Sequence, residues 1–334
     1  MRSKRGVALV GLLALAAGVL STPPAIAAAP ATATAVSADD GATVVQETRI
    51  DARTLDLKIN SPALGTTGMV RVLLPQGWDS QPTRTWPQVW LMHGCCEPAD
   101  YQSWTQFTDV EELTASSPVM VVMPTDGSAG MFSAWWNFGL SNKPDWETFH
   151  VTEVRQILER GYRAGTQRAI AGISIGGFGA MHYAFRHPGM FLTAASYSGV
   201  LDTMGFGIPA ILKAILIREG FFNYLLLWGS EFLNPSLWHS HNPADNLEKL
   251  RGTALYVSSG NGVAGPFDPG TSNEGGDFLL EPSAQSATQT FVNRAQQLGI
   301  PVTADFYGPG THSWPYWERE LHRSWAFLTA RLGV

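Results

Sequence analysis

A doubly wound α/β domain built on a mostly parallel sheet is the fold class this sequence predicts, and three observations predict it. Short continuous apolar runs recur at Val89 to Met92, Val119 to Met123 and Ala169 to Ala171, the pattern of strands covered on both faces. Helical segments alternate with them, as in Asp145 to Arg163, where Phe149, Val151, Val154, Ile157 and Leu158 recur at near-helical spacing and Gly161 marks the stop. A strand then runs directly into a helix through Gly172-Ile173-Ser174-Ile175-Gly176-Gly177. Repeated strand, loop and helix units argue for one domain from about Val44 to Val334.

The N-terminus reads as a processing signal. Arg2, Lys4 and Arg5 precede an apolar run from Val7 to Leu20, followed by Pro23-Pro24 and Ala25-Ile26-Ala27, the layout of a secretory signal peptide over residues 1–27. The apolar run is shorter than the roughly 18 residues a membrane span needs. Cleavage takes the formal net charge from −6 to −9, because three cations leave and no acid does. A secreted or cell wall-associated protein is expected. Residues 28–43 are rich in Ala and Thr without periodicity and read as a flexible leader.

Within the domain, Leu55, Leu57 and Ile59, then Val70, Val72 and Leu74, alternate with polar residues, so the first strands read as an edge hairpin or meander. Leu255 to Val257 and Val302 to Phe306 are later strands, and Tyr316 to Leu332 is a closing helix. Between them, residues 203–235 carry Ile208, Ile211, Leu212, Ile215, Leu216, Phe221 and Leu225, too apolar for an ordinary surface insertion. That stretch is either a helix pair completing the core or a lid that walls an acyl site, with Phe206 and Trp228 as candidate substrate contacts. Lys213, Arg218 and Glu219 argue against a membrane span there.

Composition excludes several classes. With 45% hydrophobic and 15% charged residues the chain is not disordered, and an acidic balance with scattered basic residues excludes a nucleic-acid partner. The only cysteines, Cys95 and Cys96, are adjacent, which allows a vicinal disulfide, two buried thiols (the plainest arrangement) or an intermolecular bridge. Neither this pair nor His239-Ser240-His241 has the ligand spacing of a zinc site, so no metal and no cofactor are expected.

The chemistry falls in three loops, each after a strand. Gly172-Ile173-Ser174-Ile175-Gly176 has the strand-to-helix context of a nucleophile elbow, with glycines where side chains would clash and Ser174 raised above the sheet. A serine hydroxyl needs a base later in the chain, and His312, in the Gly/Pro-rich loop after the last strand, is the histidine placed to supply it. The orienting acid is sought after the preceding strand, where Asp268, Glu274, Asp277 and Glu281 are all candidates. His93-Gly94-Cys95-Cys96 follows strand Val89 to Met92, the place of an oxyanion segment, with the N–H groups of Cys95 and Ile175 as donors. Each such donor is worth roughly 3 kcal/mol in the transition state.

Ser174 in its Gly-Ile-Ser-Ile-Gly-Gly setting, Trp228-Gly229 through His241-Asn242-Pro243, Ser259-Gly260-Asn261-Gly262 and Gly310-Thr311-His312-Ser313-Trp314 carry a resemblance. From about Arg71 onward the chain resembles the secreted mycolyltransferases of the antigen 85 group and the wider esterase D family, within the α/β-hydrolase superfamily. The resemblance implies an α/β-hydrolase fold and a serine esterase, or else an acyltransferase moving an acyl chain to a sugar or glycerol hydroxyl. It implies Glu281 as the triad acid, with Asp277 in reserve, and places His93, Trp314, Phe206 and Trp228 about the substrate. It also implies a changed acceptor site, since His93 and Cys96 stand where the family carries a sugar-binding Asp and Arg. The expected partners are small-molecule or lipid esters, with contact to cell-envelope lipid open and no obligate protein partner.

Overall fold

The computed structural model describes residues 36–268 and 277–334. The expected signal peptide, residues 28–35 of the expected leader and Glu274 lie outside them.

The apolar runs are strands of one nine-stranded sheet: β1 (Thr43–Arg49), β2 (Thr54–Ser61), β3 (Thr66–Leu73), β4 (Trp86–Met92), β5 (Met120–Pro124), β6 (Ala164–Ile173), β7 (Thr193–Tyr197), β8 (Ala254–Ser259) and β9 (Thr303–Phe306). Their order is β1-β2-β3-β5-β4-β6-β7-β8-β9. The alternating segments are β2 and β3, an antiparallel pair that β1, a strand the alternation does not mark, extends to a meander; β3 joins β5 antiparallel, and every later pairing is parallel.

The two-faced burial follows residue by residue. Trp90 and Met92 of β4 enter one core with Val122, Ile170 and Val257, while Val89 and Leu91 enter the other with Val121, Ala169 and Ala171. Helix α1 (Ile175–Arg186) closes the first face with Phe178, Met181 and Phe185. The C-terminal helix, Trp314–Thr329, closes the second with Trp317, Leu321 and Leu328. The segment read as one helix from Asp145 is continuous through Trp146–Thr148, Phe149–Val154 and Arg155–Gly161, with a π-helical middle.

One boundary differs from the reading of the sequence. The fold takes in residues before Val44: Ala38 and Ala42 are buried, Ser37 bridges Thr43, and Asp39 accepts from the Gln156 amide at 2.8 Å. Low periodicity concealed a segment held by contacts far along the chain. Gly161 is explained the same way, since a β-carbon there would meet Val36 at 2.7 Å.

The insertion is a core piece and a pocket wall together. In helix α2 (Ile208–Arg218), Ile208, Leu212 and Leu216 are buried, while Lys213 pairs with Glu231 at 2.6 Å and ties the insertion to itself. Phe221 lies edge-on to Trp135 at 5.0 Å.

Candidate active site

Strand β6 ends at Ile173 and α1 begins at Ile175, which leaves Ser174 alone to make the turn. It does so at φ 52° and ψ −122°, a conformation that costs a non-glycine residue free energy and persists only when its surroundings impose it. They do: a β-carbon on Gly172 would overlap the Gly176 carbonyl, and one on Gly176 would overlap the His93 carbonyl. The Ser174 N–H is held by the Tyr197 carbonyl at 2.9 Å. The hydroxyl is left part-exposed above the sheet's C-terminal edge.

His312 reaches that hydroxyl from the other side, with Nε2 2.9 Å from Ser174 Oγ. Its Nδ1 lies 2.7 Å from Glu281 Oε2. A proton on Nδ1, donated to the carboxylate, leaves Nε2 as the acceptor for the serine hydroxyl. The imidazole is held against the edge of the Trp317 ring at 5.0 Å, and Trp317 Nε1 donates to Ser198 Oγ at 3.1 Å.

Glu281 is fully buried, and it sits on a helix, not in the loop where the acid was sought. It lies in the second turn of α3 (Asp277–Gln297), which packs back on the end of β8. Its Oε1 accepts from Ser198 Oγ at 2.8 Å, from Ser259 Oγ at 3.0 Å and from the Gly260 N–H. A buried carboxylate is tolerable only with such a set of donors. Asp277 opens the same helix. Asp268 serves the His312 loop from behind, accepting from Thr311 Oγ1 and from the Tyr316 hydroxyl at 2.8 Å.

The His93 loop passes directly beside the elbow, close enough that a β-carbon on Gly94 would lie 3.4 Å from Ser174 Cβ. Ile175 is the first residue of α1, so its N–H is one that a helix leaves without an intrahelical acceptor. His93 itself is no pocket residue, contrary to the expectation. It is buried, with Nδ1 donating to the Gly94 carbonyl at 2.6 Å and Nε2 3.0 Å from Asp100 Oδ2. Burial, the largest influence, lowers its pKa, but the Asp100 carboxylate, the Asp126 charge and the bond to the Gly94 carbonyl together outweigh burial and raise it. Cys95 and Cys96 form a disulfide with each other and are part-exposed, so the buried-thiol arrangement does not occur.

A cavity of about 260 Å³ opens over the serine, lined by Cys95, Ser174, Ile215, Leu280, His312 and Trp314 among others. Trp314 is where it was expected, stacked on Phe107 at 5.1 Å. Two expected contacts are elsewhere. Phe206 is fully exposed on the turn before α2, and Trp228 is buried in the core, stacked on His241 at 4.8 Å and donating to Ser133 Oγ at 3.1 Å. Apolar character named both, but not the direction in which either side chain points. Sequence reasoning missed Glu97 and Leu280 at this cavity, and it named Ile215 and Arg218 only as part of the insertion that could wall an acyl site. Position beside Glu281 is a signal for Leu280, and Ile215 and Arg218, one turn of α2 apart, have only their place in the insertion.

Among the described residues, one trio brings metal-ligating atoms within 4.8 Å of one another, Cys95, Cys96 and Glu219. Its two sulfurs are bonded to each other. Among the described residues no helix is long and apolar enough to cross a membrane.

The family model described as putative esterase matches residues 61–328. The chain is 28% identical over 272 residues to Esterase Rv1288 of Mycobacterium tuberculosis, covering 78% of this chain and 56% of that protein, so it spans little more than half of that relative. It is 29% identical over 284 residues to the diacylglycerol acyltransferase/mycolyltransferase Ag85B of Mycobacterium intracellulare, covering 82% of each. Among solved structures it is similar to MPT51 (FbpC1) of Mycobacterium tuberculosis, with a TM-score of 0.71 and 22% identity over 84% of this chain and all of that one. An S-formylglutathione hydrolase from Agrobacterium tumefaciens shares the fold at a TM-score of 0.65 and 15% identity, over 87% of this chain and 99% of that one.

Proposed function

The chain belongs to the putative esterase family, and from that membership we propose that it is a secreted serine esterase that hydrolyses carboxylic esters of short acyl chains. The observation that carries the reading is the unbroken relay from Ser174 Oγ through His312 to Glu281, at 2.9 and 2.7 Å. Export rests on the signal-peptide layout of residues 1–27.

In the proposed reaction Ser174 Oγ attacks the ester carbonyl carbon as His312 Nε2 takes the hydroxyl proton, and Glu281 stabilises the imidazolium. Charge on the former carbonyl oxygen is met by the N–H groups of Cys95 and Ile175. The C–O bond to the alcohol breaks, and His312 returns the proton to the leaving oxygen. Water, deprotonated by His312, then attacks the acyl-serine and releases the acid and the free serine. No cofactor enters any of these steps.

A second reading, transfer of the acyl group to a sugar or glycerol hydroxyl, is favoured by the similarity to the Ag85B protein over 82% of both chains. Two observations weigh toward water. The cavity of about 260 Å³ falls below the usual range of roughly 300 to 1,000 Å³ for drug-sized ligands, which suits a short acyl group. His93 is turned into the core and Cys96 is tied to Cys95, so neither of these two positions offers an acceptor a carboxylate or a guanidinium, and the charged groups at the cavity are Glu97 and Arg218 instead. Each buried partner left unmade weakens binding by about 1 to 3 kcal/mol, roughly 5- to 150-fold.

The expected result is a burst of p-nitrophenol from p-nitrophenyl butyrate, with kcat/KM at least about tenfold above that for the palmitate. Added trehalose should neither raise turnover nor be acylated. Chromatographic recovery of a trehalose ester as the main product would instead establish acyl transfer.

A further inference from the structure

We infer that the Cys95–Cys96 disulfide is a positioning element of the oxyanion hole, so that turnover depends on its oxidised state. The inference rests on the serine esterase reading and adds to it a residue, Cys96, that touches no reacting atom.

A single N–H group is at issue. The Gly94 carbonyl and the Cys95 N–H are opposite ends of a single planar peptide, so fixing one aims the other. Upstream, the buried His93 holds that carbonyl through Nδ1 at 2.6 Å and is itself held by Asp100 at 3.0 Å. The Asp126 N–H adds a bond to the same Asp100 oxygen at 3.0 Å. Downstream, the disulfide closes a small ring through the Cys95–Cys96 peptide, which fixes the backbone on the C-terminal side of Cys95 and so holds the Cα to which the N–H group is attached. The part-exposed loop is thus clamped on both sides of the donor.

Location supports the same role. Cys95 lines the cavity with Ser174 and His312. Both sulfurs lie within 4.8 Å of a Glu219 carboxylate oxygen, just past the end of α2, and Ile215 and Arg218 of α2 line the same cavity. The bridge is therefore wedged between the oxyanion loop and the insertion that walls the pocket. A disulfide between neighbours closes almost no chain, so it constrains the unfolded state little and adds little to global stability. Its effect should appear in the rate and not in the melting temperature.

The test uses an uncharged water-soluble phosphine, which Glu97 and Glu219 do not repel and which, unlike a thiol, leaves no sulfur adduct. Phosphorus attacks one sulfur and the S–S bond breaks; water then supplies oxygen to phosphorus and protons to the sulfurs, giving a phosphine oxide and two thiols. Kinetics are read on p-nitrophenyl butyrate, and an alkylated aliquot is weighed to verify two thiols. Reduction is expected to lower kcat by about 10- to 100-fold, less than the 10²- to 10³-fold typical for loss of a whole donor. KM should stay within about threefold and the melting temperature within about 2 °C. A diazenedicarboxamide, which takes the two thiol hydrogens and restores the S–S bond, should return the rate. Cys96→Ser should match the reduced enzyme and be indifferent to phosphine.

Unchanged kcat in protein verified as reduced would overturn the inference, as would a loss of rate that tracks a falling melting temperature. The two readings separate cleanly. If the oxidised protein neither hydrolyses the ester nor takes a fluorophosphonate at Ser174, the esterase reading fails and takes this one with it. If it does both and ignores the phosphine, only the disulfide's role is lost.

Discussion

Ser174→Ala is expected to lower kcat for p-nitrophenyl butyrate by about 10⁴- to 10⁶-fold, because no other oxygen can form the acyl intermediate and the relay acts as a unit. KM should change little, since the hydroxyl adds nothing to ground-state binding that water cannot replace. The fold should survive. The elbow's backbone is set by the Gly172 and Gly176 crossings and by the Ser174 N–H bond to Tyr197, all of which an alanine retains. A melting temperature within about 2 °C of the parent would separate loss of chemistry from loss of structure. Mass spectrometry after a fluorophosphonate probe should find the adduct on the Ser174 peptide. Labelling elsewhere in active enzyme would refute the nucleophile.

Glu281→Gln is expected to cost about 10⁴-fold in kcat, comparable with an amide at the acid position of a serine protease triad. The reason lies in the three donors on Oε1. The Gly260 N–H can only donate, so the oxygen of the substituted amide must face it, and the NH₂ is turned toward His312 Nδ1. The imidazole then carries its proton on Nε2 and presents a donor to Ser174, where an acceptor is needed. Asp268→Asn should cost less than about tenfold, because Asp268 reaches His312 only through Thr311 and Tyr316. Asp277→Asn serves as the third arm. A crippled Asp277→Asn or Asp268→Asn beside an active Glu281→Gln would reassign the acid.

What could be read from the sequence was local. The β2–β3 pair, the parallel strands and the elbow depend on alternation, continuous apolar runs and two glycines around Ser174, and a short stretch of chain reports each of these. His312 could be placed because a Gly/Pro-rich loop after the last strand of such a sheet has few places to go. The carboxylates of residues 268–281 looked alike because their difference is not local. Glu281 is distinguished by Ser198, Ser259, Gly260 and His312, which come from three other segments.

By itself, then, the sequence determined the parallel strands, the tight turn at Ser174 and the chain order of Ser174, the candidate carboxylates and His312, because backbone preference and apolar periodicity act over a few residues. The tertiary structure alone decided where side chains point. It turned His93 inward to Asp100, left Phe206 in solvent, buried Trp228 against His241, joined Cys95 to Cys96 at the pocket's edge and drew residues 36–43 onto the domain. Each of these is settled by partners distant in sequence or by a rotamer, and composition and spacing carry no record of either.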